Sequence, residues 1–350
     1  MTYDLSQLGW DDFFVSAYRP LDRSDSLPAR VLRADRGACT VLSADGVLRA
    51  TLAGGVLLDA VHDPARLPCA GDWVVLRRWP DRRITIECVL PRRTALIRRT
   101  AGRDSSGQVL AANMDTVAVV EPMHPAPDDA RVERLLALAW ESGAQPVLVL
   151  SKSDTAADPA AVAGQMAGRI GGARFTARVP VLPLSVLRGD GLEPLRELAG
   201  PGRTLALLGR SGAGKSTLVN ELAGTDVMPV QTIRRADGKG RHTTAYRNLV
   251  PVPGGGAVLD TPGIRGVGLL DTAAGLDRAF GDIAELAALC RFGDCRHEAE
   301  PGCAVRDALH DGSLSPRRLE SWRKLHREVT VESARQAVRL ESAVRRKRRL

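Results

Sequence analysis

The sequence predicts a multidomain chain: an N-terminal OB-type β-barrel, a largely parallel α/β domain in the middle, and a helical metal-binding module at the end. Three observations carry this expectation. Between Ala29 and Arg99, short alternating apolar runs are separated by turn signals. After Gln108, buried strands alternate with helical periodicity. Near the C-terminus, three cysteines and a histidine fall close together. A chain of 350 residues has room for two or three domains, and 44% hydrophobic with 26% charged residues is the mix of a soluble globular protein.

In chain order, residues 1–28 are polar and read as a flexible arm. Residues 29–100 hold the barrel. Arg30–Arg33, Thr40–Leu42 before the turn Ala44-Asp45-Gly46, Gly71–Leu76 and Arg83–Ile86 are its strand signals, and an SH3-like barrel shares their periodicity. Residues 101–272 form the α/β domain. Thr116–Val120 is a buried strand, and Val132, Leu135, Leu136, Ala139 and Trp140 make the apolar stripe of a helix over it. Further strands are Pro146–Leu150, Val179–Leu184, Leu205–Leu208 and Ala257–Leu259. Residues 273–350 contain the Cys/His cluster and an arginine-rich helical tail ending Arg345-Arg346-Lys347-Arg348-Arg349.

Charge and composition narrow the function. A net charge of +8 favours a polyanionic partner such as nucleic acid. No run of 18 apolar residues exists, and Met1–Trp10 lacks a basic region followed by an apolar run. The expectation is a cytoplasmic protein with no membrane partner. Lysine occurs at five positions only (Lys152, Lys215, Lys239, Lys324, Lys347), against 44 arginines among the 49 basic residues. A lysine kept in such a chain suggests a place where a compact ammonium is needed, as between phosphates. Cys39, Cys69 and Cys88 have no ligand spacing and read as buried apolar thiols.

The strongest motif is Gly209-Arg210-Ser211-Gly212-Ala213-Gly214-Lys215-Ser216, a G-x-x-x-x-G-K-S phosphate loop followed by Thr217 and a helix from Ser216 to Leu222. Its glycines let backbone N–H groups turn toward a phosphate at a helix N-terminus. Lys215 should reach the β- and γ-phosphates, and the Ser216 hydroxyl should ligate Mg²⁺. Downstream, Asp260-Thr261-Pro262-Gly263 ends a buried strand: Asp260 can hold the Mg²⁺ shell, while the Gly263 amide can sense the γ-phosphate. Between them, Gly238–Thr244 suits a switch loop in which Thr243 or Thr244 closes on Mg²⁺.

Base choice is read upstream. No N-K-x-D motif follows Gly263, whereas Ser151-Lys152-Ser153-Asp154 ends a buried strand. The Asp154 carboxylate would accept from guanine N1–H and its 2-amino group, donors that adenine lacks. The Lys152 stem would lie along the base, and Ser185-Val186 could supply a backbone contact to the guanine carbonyl. The order is therefore base motif, phosphate loop, switch, D-x-P-G: a circularly permuted, Ras-like GTPase domain, permitted because domain termini lie close together.

Cys290-x4-Cys295-x-His297-x5-Cys303 offers three thiolates and one imidazole. That set fills a tetrahedral Zn²⁺ site with no open position, which is structural rather than catalytic.

Taken together, the permuted order, Gly240-Arg241-His242-Thr243-Thr244, and the C-x4-C-x-H-x5-C set followed by Ala304-Val305 resemble the circularly permuted, ribosome small-subunit-dependent GTPases (RsgA) from about residue 29 to 330. The resemblance implies an OB domain, a permuted GTPase domain and a zinc domain. It also implies late maturation of the small ribosomal subunit, contact with its rRNA, and GTP hydrolysis stimulated by that subunit. Two positions depart from the family pattern. Ser151 stands where Asn or Thr is usual, and Ser185-Val186 replaces Ser-Ala; both bear on affinity for guanine more than on its identity, since Asp154 is present.

Switch GTPases place a water-orienting Gln after the glycine of D-x-x-G. Ile264 occupies that position, so intrinsic hydrolysis should be slow. His242 either supplies the missing polar group once the subunit orders the loop, or caps the loop or touches rRNA. GTP and GDP are the expected ligands, and a monomer the expected state. Two other readings of the same motifs are an ATP-dependent phosphotransferase and a nucleic-acid-binding module that uses nucleotide only as a switch.

Overall fold

A computed structural model describes residues 3–99, 107–170, 179–228, 248–261 and 273–347. The first of these segments corrects the reading of residues 1–28 as a flexible arm. Asp4 accepts from the Ser6 amide and caps a 3-10 turn, Leu5–Leu8; Asp11 accepts from the Phe13 amide and caps helix α1, Asp12–Tyr18. Leu5, Leu8 and Phe14 are buried. Trp10 and Phe14 pack on Trp73, with ring centroids 4.8 and 5.8 Å away. The aspartates that make the segment look polar are caps, and the apolar residues between them are core.

The barrel uses β1 (Ser26–Asp35), β2 (Ala38–Ser43), β3 (Gly46–Leu52), α2 (Gly54–His62), β4 (Trp73–Arg78) and β5 (Ile84–Val89). β1 pairs with β2 on one side and β4 on the other, β3 joins β5 in parallel, and β5 joins β4. The circuit 1-2-3-5-4-1 closes the barrel, with α2 between β3 and β4, and selects the OB type over the SH3-like alternative. Alternate residues of these strands (Val31, Val41, Ala50, Val74, Leu76 and Ile86) fill its interior. Arg30 is 1% exposed and donates to the carbonyls of Leu8, Gly71 and Asn113, tying the N-terminal segment to the barrel and to the α/β domain.

A hairpin of β6 (Ala95–Arg99) and β7 (Gly107–Ala112) leads into the α/β domain. Its elements are β8 (Thr116–Pro122), α3 (Asp129–Glu141), β9 (Gln145–Ser151), α4 (Pro159–Ile170), β10 (Val181–Pro183), α5 (Glu193–Leu198), β11 (Thr204–Leu208), α6 (Lys215–Ala223), β12 (Asn248–Pro251) and β13 (Ala257–Asp260). The strands lie in the order β10-β9-β8-β11-β13-β12, all parallel except β12, which runs against β13. The near-continuous apolar sequences of β8, β9, β11 and β13 follow from burial on both faces. Counted from the phosphate-loop strand β11, the spatial order is 6-5-4-1-3-2, and the chain enters at the fourth strand. That is the permuted arrangement. β12 also meets β1 at Arg33 and Asn248, so the two sheets are continuous.

The C-terminal module consists of α7 (Ala273–Ala279), α8 (Gly281–Ala287), α9 (Ala304–His310) and α10 (Pro316–Lys347). α7 crosses α3 closely: a Cβ on Gly275 would lie 2.8 Å from the Ala137 carbonyl oxygen. Arg318, 4% exposed, bonds Asp282 Oδ1 at 2.8 Å and Glu133 Oε1 at 2.9 Å, while Arg317 bonds the same Glu133 oxygen at 2.9 Å. Buried charges are tolerable only when paired and hydrogen-bonded in this way. The module is thereby fixed to α3.

Candidate nucleotide and metal sites

β11 delivers the phosphate loop to the N-terminus of α6, a helix anchored by the buried apolar residues Leu218, Val219, Leu222 and Ala223. Two glycines are forced. Gly209 has φ +154°, and a Cβ there would lie 2.2 Å from the Val120 carbonyl oxygen; Gly214, at φ +90°, caps α6 in the left-handed region. Lys215 is 8% exposed, and its Nζ donates to the carbonyls of Gly209 (2.8 Å) and Arg210 (2.9 Å). These oxygens stand where an ammonium is solvated within the loop itself, an arrangement that phosphate oxygens can replace. Burial lowers the Lys215 pKa, opposed by the charges of Asp260 and Glu121.

Asp260 sits one strand away, level with Leu207. It is 2% exposed; burial raises its pKa, and Lys215 opposes the rise. Its Oδ1 has no hydrogen-bond partner. A buried carboxylate oxygen left without a donor fits a cation ligand, and Ser216, half-buried at the start of α6, offers the matching hydroxyl. Mg²⁺ held there would neutralise charge on the transferring phosphate. Thr261, which sequence reasoning passed over, donates its hydroxyl to the Leu207 carbonyl at 2.6 Å and fixes the end of β13 against the loop strand. Glu121 was also missed. It is fully buried at the end of β8, pairs with Arg131, and adds negative charge near Lys215. A lone carboxylate directly after the buried run Thr116–Val120 was the available signal.

The base motif lies against the same loop. Ser151 Oγ donates to the Ala213 carbonyl at 2.7 Å, and Lys152 Nζ donates to the Gly212 carbonyl at 2.9 Å. Lys152 takes a left-handed φ of +57°, turning the chain so that Ser153 N–H bonds the Leu184 carbonyl at 3.0 Å. Asp154 Oδ1 accepts from Ser185 Oγ at 2.5 Å, and that hydroxyl holds the Asp154 carboxyl below its ordinary range. An ionised carboxylate only accepts, which suits it to a base edge that presents donors. Ser211, Ala213 and Thr217 complete the loop and helix start, with Ala213 buried. His242, Thr243, Thr244 and Gly263 lie outside the described residues.

Cys290, Cys295, His297 and Cys303 come together in the C-terminal module, with all four ligand atoms within 4.8 Å of one another. Cys290 Sγ is 3.6 Å from His297 Nδ1 and 3.9 Å from Cys303 Sγ, and His297 Nδ1 is 3.4 Å from Cys303 Sγ. A tetrahedron with metal bonds of about 2.0–2.3 Å has edges of roughly 3.5–3.8 Å, so the donor set fits zinc. His297 adopts φ +59°, and its carbonyl accepts from Arg323 of α10 at 2.6 Å. The long helix thus clasps the cluster.

A phosphate loop beside a buried carboxylate, with the Asp154 carboxylate just past β9, has the layout of a phosphate-loop GTPase in permuted order. The pattern of the RsgA GTPase family matches residues 89–270. The chain is 52% identical to the small ribosomal subunit biogenesis GTPase RsgA of Streptomyces coelicolor, over 93% of this chain and 86% of that one. It is 45% identical to the protein of the same description from Opitutus terrae, over 95% and 91%. Among solved structures, YjeQ from Thermotoga maritima superposes with a TM-score of 0.64 at 24% identity, covering 87% of this chain and 99% of that one. YloQ, a circularly permuted GTPase, superposes with a TM-score of 0.60 at 21% identity, covering 88% and 96%. The chain belongs to the RsgA GTPase family and is a GTP-hydrolysing enzyme.

Proposed function

We propose that the protein binds the small ribosomal subunit, assists its late maturation, and hydrolyses GTP in response to that binding. The printed description of its relatives supports this reading, and so does the net charge of +8. The observation that carries it is the contact of Ser151 and Lys152 with the carbonyls of Ala213 and Gly212, which supports reading the Ser151–Asp154 segment and the phosphate loop as one nucleotide site. In this reading Gly209–Thr217 wrap the phosphates, Lys215 and Gly263 meet the γ-phosphate, and Ser216 and Asp260 hold Mg²⁺, joined by Thr243 or Thr244. Asp154 reads guanine, with Ser151, Lys152, Ser153 and Ser185 around it. Cys290, Cys295, His297 and Cys303 hold a structural Zn²⁺.

The partner is the subunit's rRNA, and the protein acts as a cytoplasmic monomer. Among the described residues no helix is long and apolar enough to cross a membrane. His242 is assigned the water-orienting role that Ile264 cannot fill. Co-sedimentation with purified small and large subunits in the presence of a non-hydrolysable GTP analogue tests the reading. Retention on small subunits alone is expected; equal retention on both, or on neither, contradicts it. Subunit-stimulated turnover that is unchanged in His242→Ala, with normal binding, removes His242 from catalysis.

A further inference from the structure

One face of the barrel carries a cavity that GTP hydrolysis does not use. Its volume is about 460 Å³, inside the range of roughly 300–1,000 Å³ typical of small-molecule sites. The start of α2 and the β4–β5 hairpin supply Gly54, Gly55, Trp79, Arg83, Thr85 and Glu87 to its walls. A Cβ on either glycine would meet nothing within 4 Å, so a ligand can approach the backbone there.

The hairpin holds its side chains in fixed places. The Trp79 amide donates to the Arg83 carbonyl at 2.9 Å, and Asp81 Oδ1 accepts from the Arg83 amide at 3.1 Å. Arg82 turns the chain at φ +68°. Trp79 Nε1 donates to Thr85 Oγ1 at 2.9 Å, and that hydroxyl donates to Glu87. The Arg77 guanidinium lies 4.1 Å from the Trp79 ring centroid, held by Asp25 at 2.8 Å, and Arg83 lies 5.4 Å from it. Trp79 itself is half-buried. Its packing is therefore with arginines and solvent rather than with the barrel core.

Arg83 Nε donates to Asp81 Oδ2 at 2.6 Å. Asp25 and Asp81 thus orient the two guanidinium groups through Nε and leave their terminal N–H donors for an anion, while Trp79 suits a flat ring and Glu87 a hydrogen-bond donor. An unpaired nucleotide offers all three; an acidic peptide lacks the ring with an amino edge. We propose that the cavity takes one extruded nucleotide of single-stranded RNA. Trp79, backed by Arg77, stacks on the base, Arg83 meets a phosphate, and Glu87 accepts from an exocyclic amino group. This deepens, and rests on, the rRNA contact proposed above.

The test is binding of fluorescent cytidine and uridine octamers to the full chain, run beside co-sedimentation with small subunits. Base–aromatic stacking is worth about 1–3 kcal/mol per base, so Trp79→Ala should weaken cytidine octamer binding roughly 5- to 160-fold, with Trp79→Phe restoring most of it. Cytidine carries the 4-amino group that uridine lacks, so cytidine should bind more tightly, and Glu87→Ala should erase the difference. Gly55→Phe fills the open space from a helix position without removing Trp79, and should weaken octamer binding too even if Trp79→Ala unfolds the barrel. Unchanged octamer binding in both Trp79→Ala and Gly55→Phe overturns the assignment; if subunit binding then falls, the cavity takes a protein segment instead. Loss of octamer binding in the variants, with a wild type that does not bind small subunits, keeps the cavity and removes the ribosomal reading.

Discussion

At the residue scale, the nucleotide site costs stability, and the cost is measurable. Asp260 is buried with an unpartnered oxygen, and its pKa is raised by burial. A carboxyl whose folded pKa lies above its unfolded value of 3.8 destabilises the fold while ionised. Asp260→Asn should therefore stabilise the nucleotide-free protein by about 1 kcal/mol while abolishing Mg²⁺-dependent hydrolysis. The gap in thermal midpoint between variant and wild type should narrow as pH falls through the folded pKa of Asp260. It should be closed below 3.8, because the wild type then carries the proton too. A variant less stable than wild type at neutral pH contradicts the burial account.

Asp154 allows a sharper exchange. Guanine presents donors to the carboxylate, whereas xanthine presents a carbonyl in place of the amino group. Asp154→Asn should weaken GTP binding roughly 10- to 100-fold and favour xanthosine triphosphate, read by competition. A uniform loss for both nucleotides would remove Asp154 from base recognition.

At the scale of elements, α3 joins two functions. It lies over the sheet that carries the base motif, and Glu133 on it, 1% exposed, receives Arg317 and Arg318 of α10. Breaking such a pair strands a buried charge, so Arg318→Ala should cost about 3–5 kcal/mol, seen in denaturant unfolding. Chelation at the Cys/His cluster should loosen α9 and the start of α10, seen as faster amide exchange there. If exchange in that region is unaffected by a strong chelator, zinc does not hold the module.

The legibility of these elements followed physical rules. β8, β9 and β11 were readable because parallel strands buried on both faces carry unbroken apolar runs. The phosphate loop was readable because its glycines are sterically required. The segment before β1 was misread, since Asp4 and Asp11 look like surface charge until their capping bonds are seen. α2 went unread because Gly54 and Gly55 open it. The ties of Ser151 and Lys152 to the phosphate loop depend on a fold that brings distant segments together, which no local pattern encodes.

At the scale of the molecule, one continuous set of strands runs from β10 at the edge of the α/β domain to β4 in the barrel. A contact on the barrel and a nucleotide in the α/β domain thus share a frame, with Arg30 and the β1–β12 pair at the junction. If the RNA contact is through phosphates, raising salt from 50 to 200 mM should weaken subunit binding by on the order of 10³-fold for a footprint of several phosphates. With Ile264 where a Gln would orient the attacking water, turnover is expected to wait for the partner. The most direct measurement is GTP hydrolysis by the purified protein with and without purified small subunits. Slow turnover alone, and acceleration of at least about tenfold with subunits, is the predicted result. The same rate in both reactions would contradict the account.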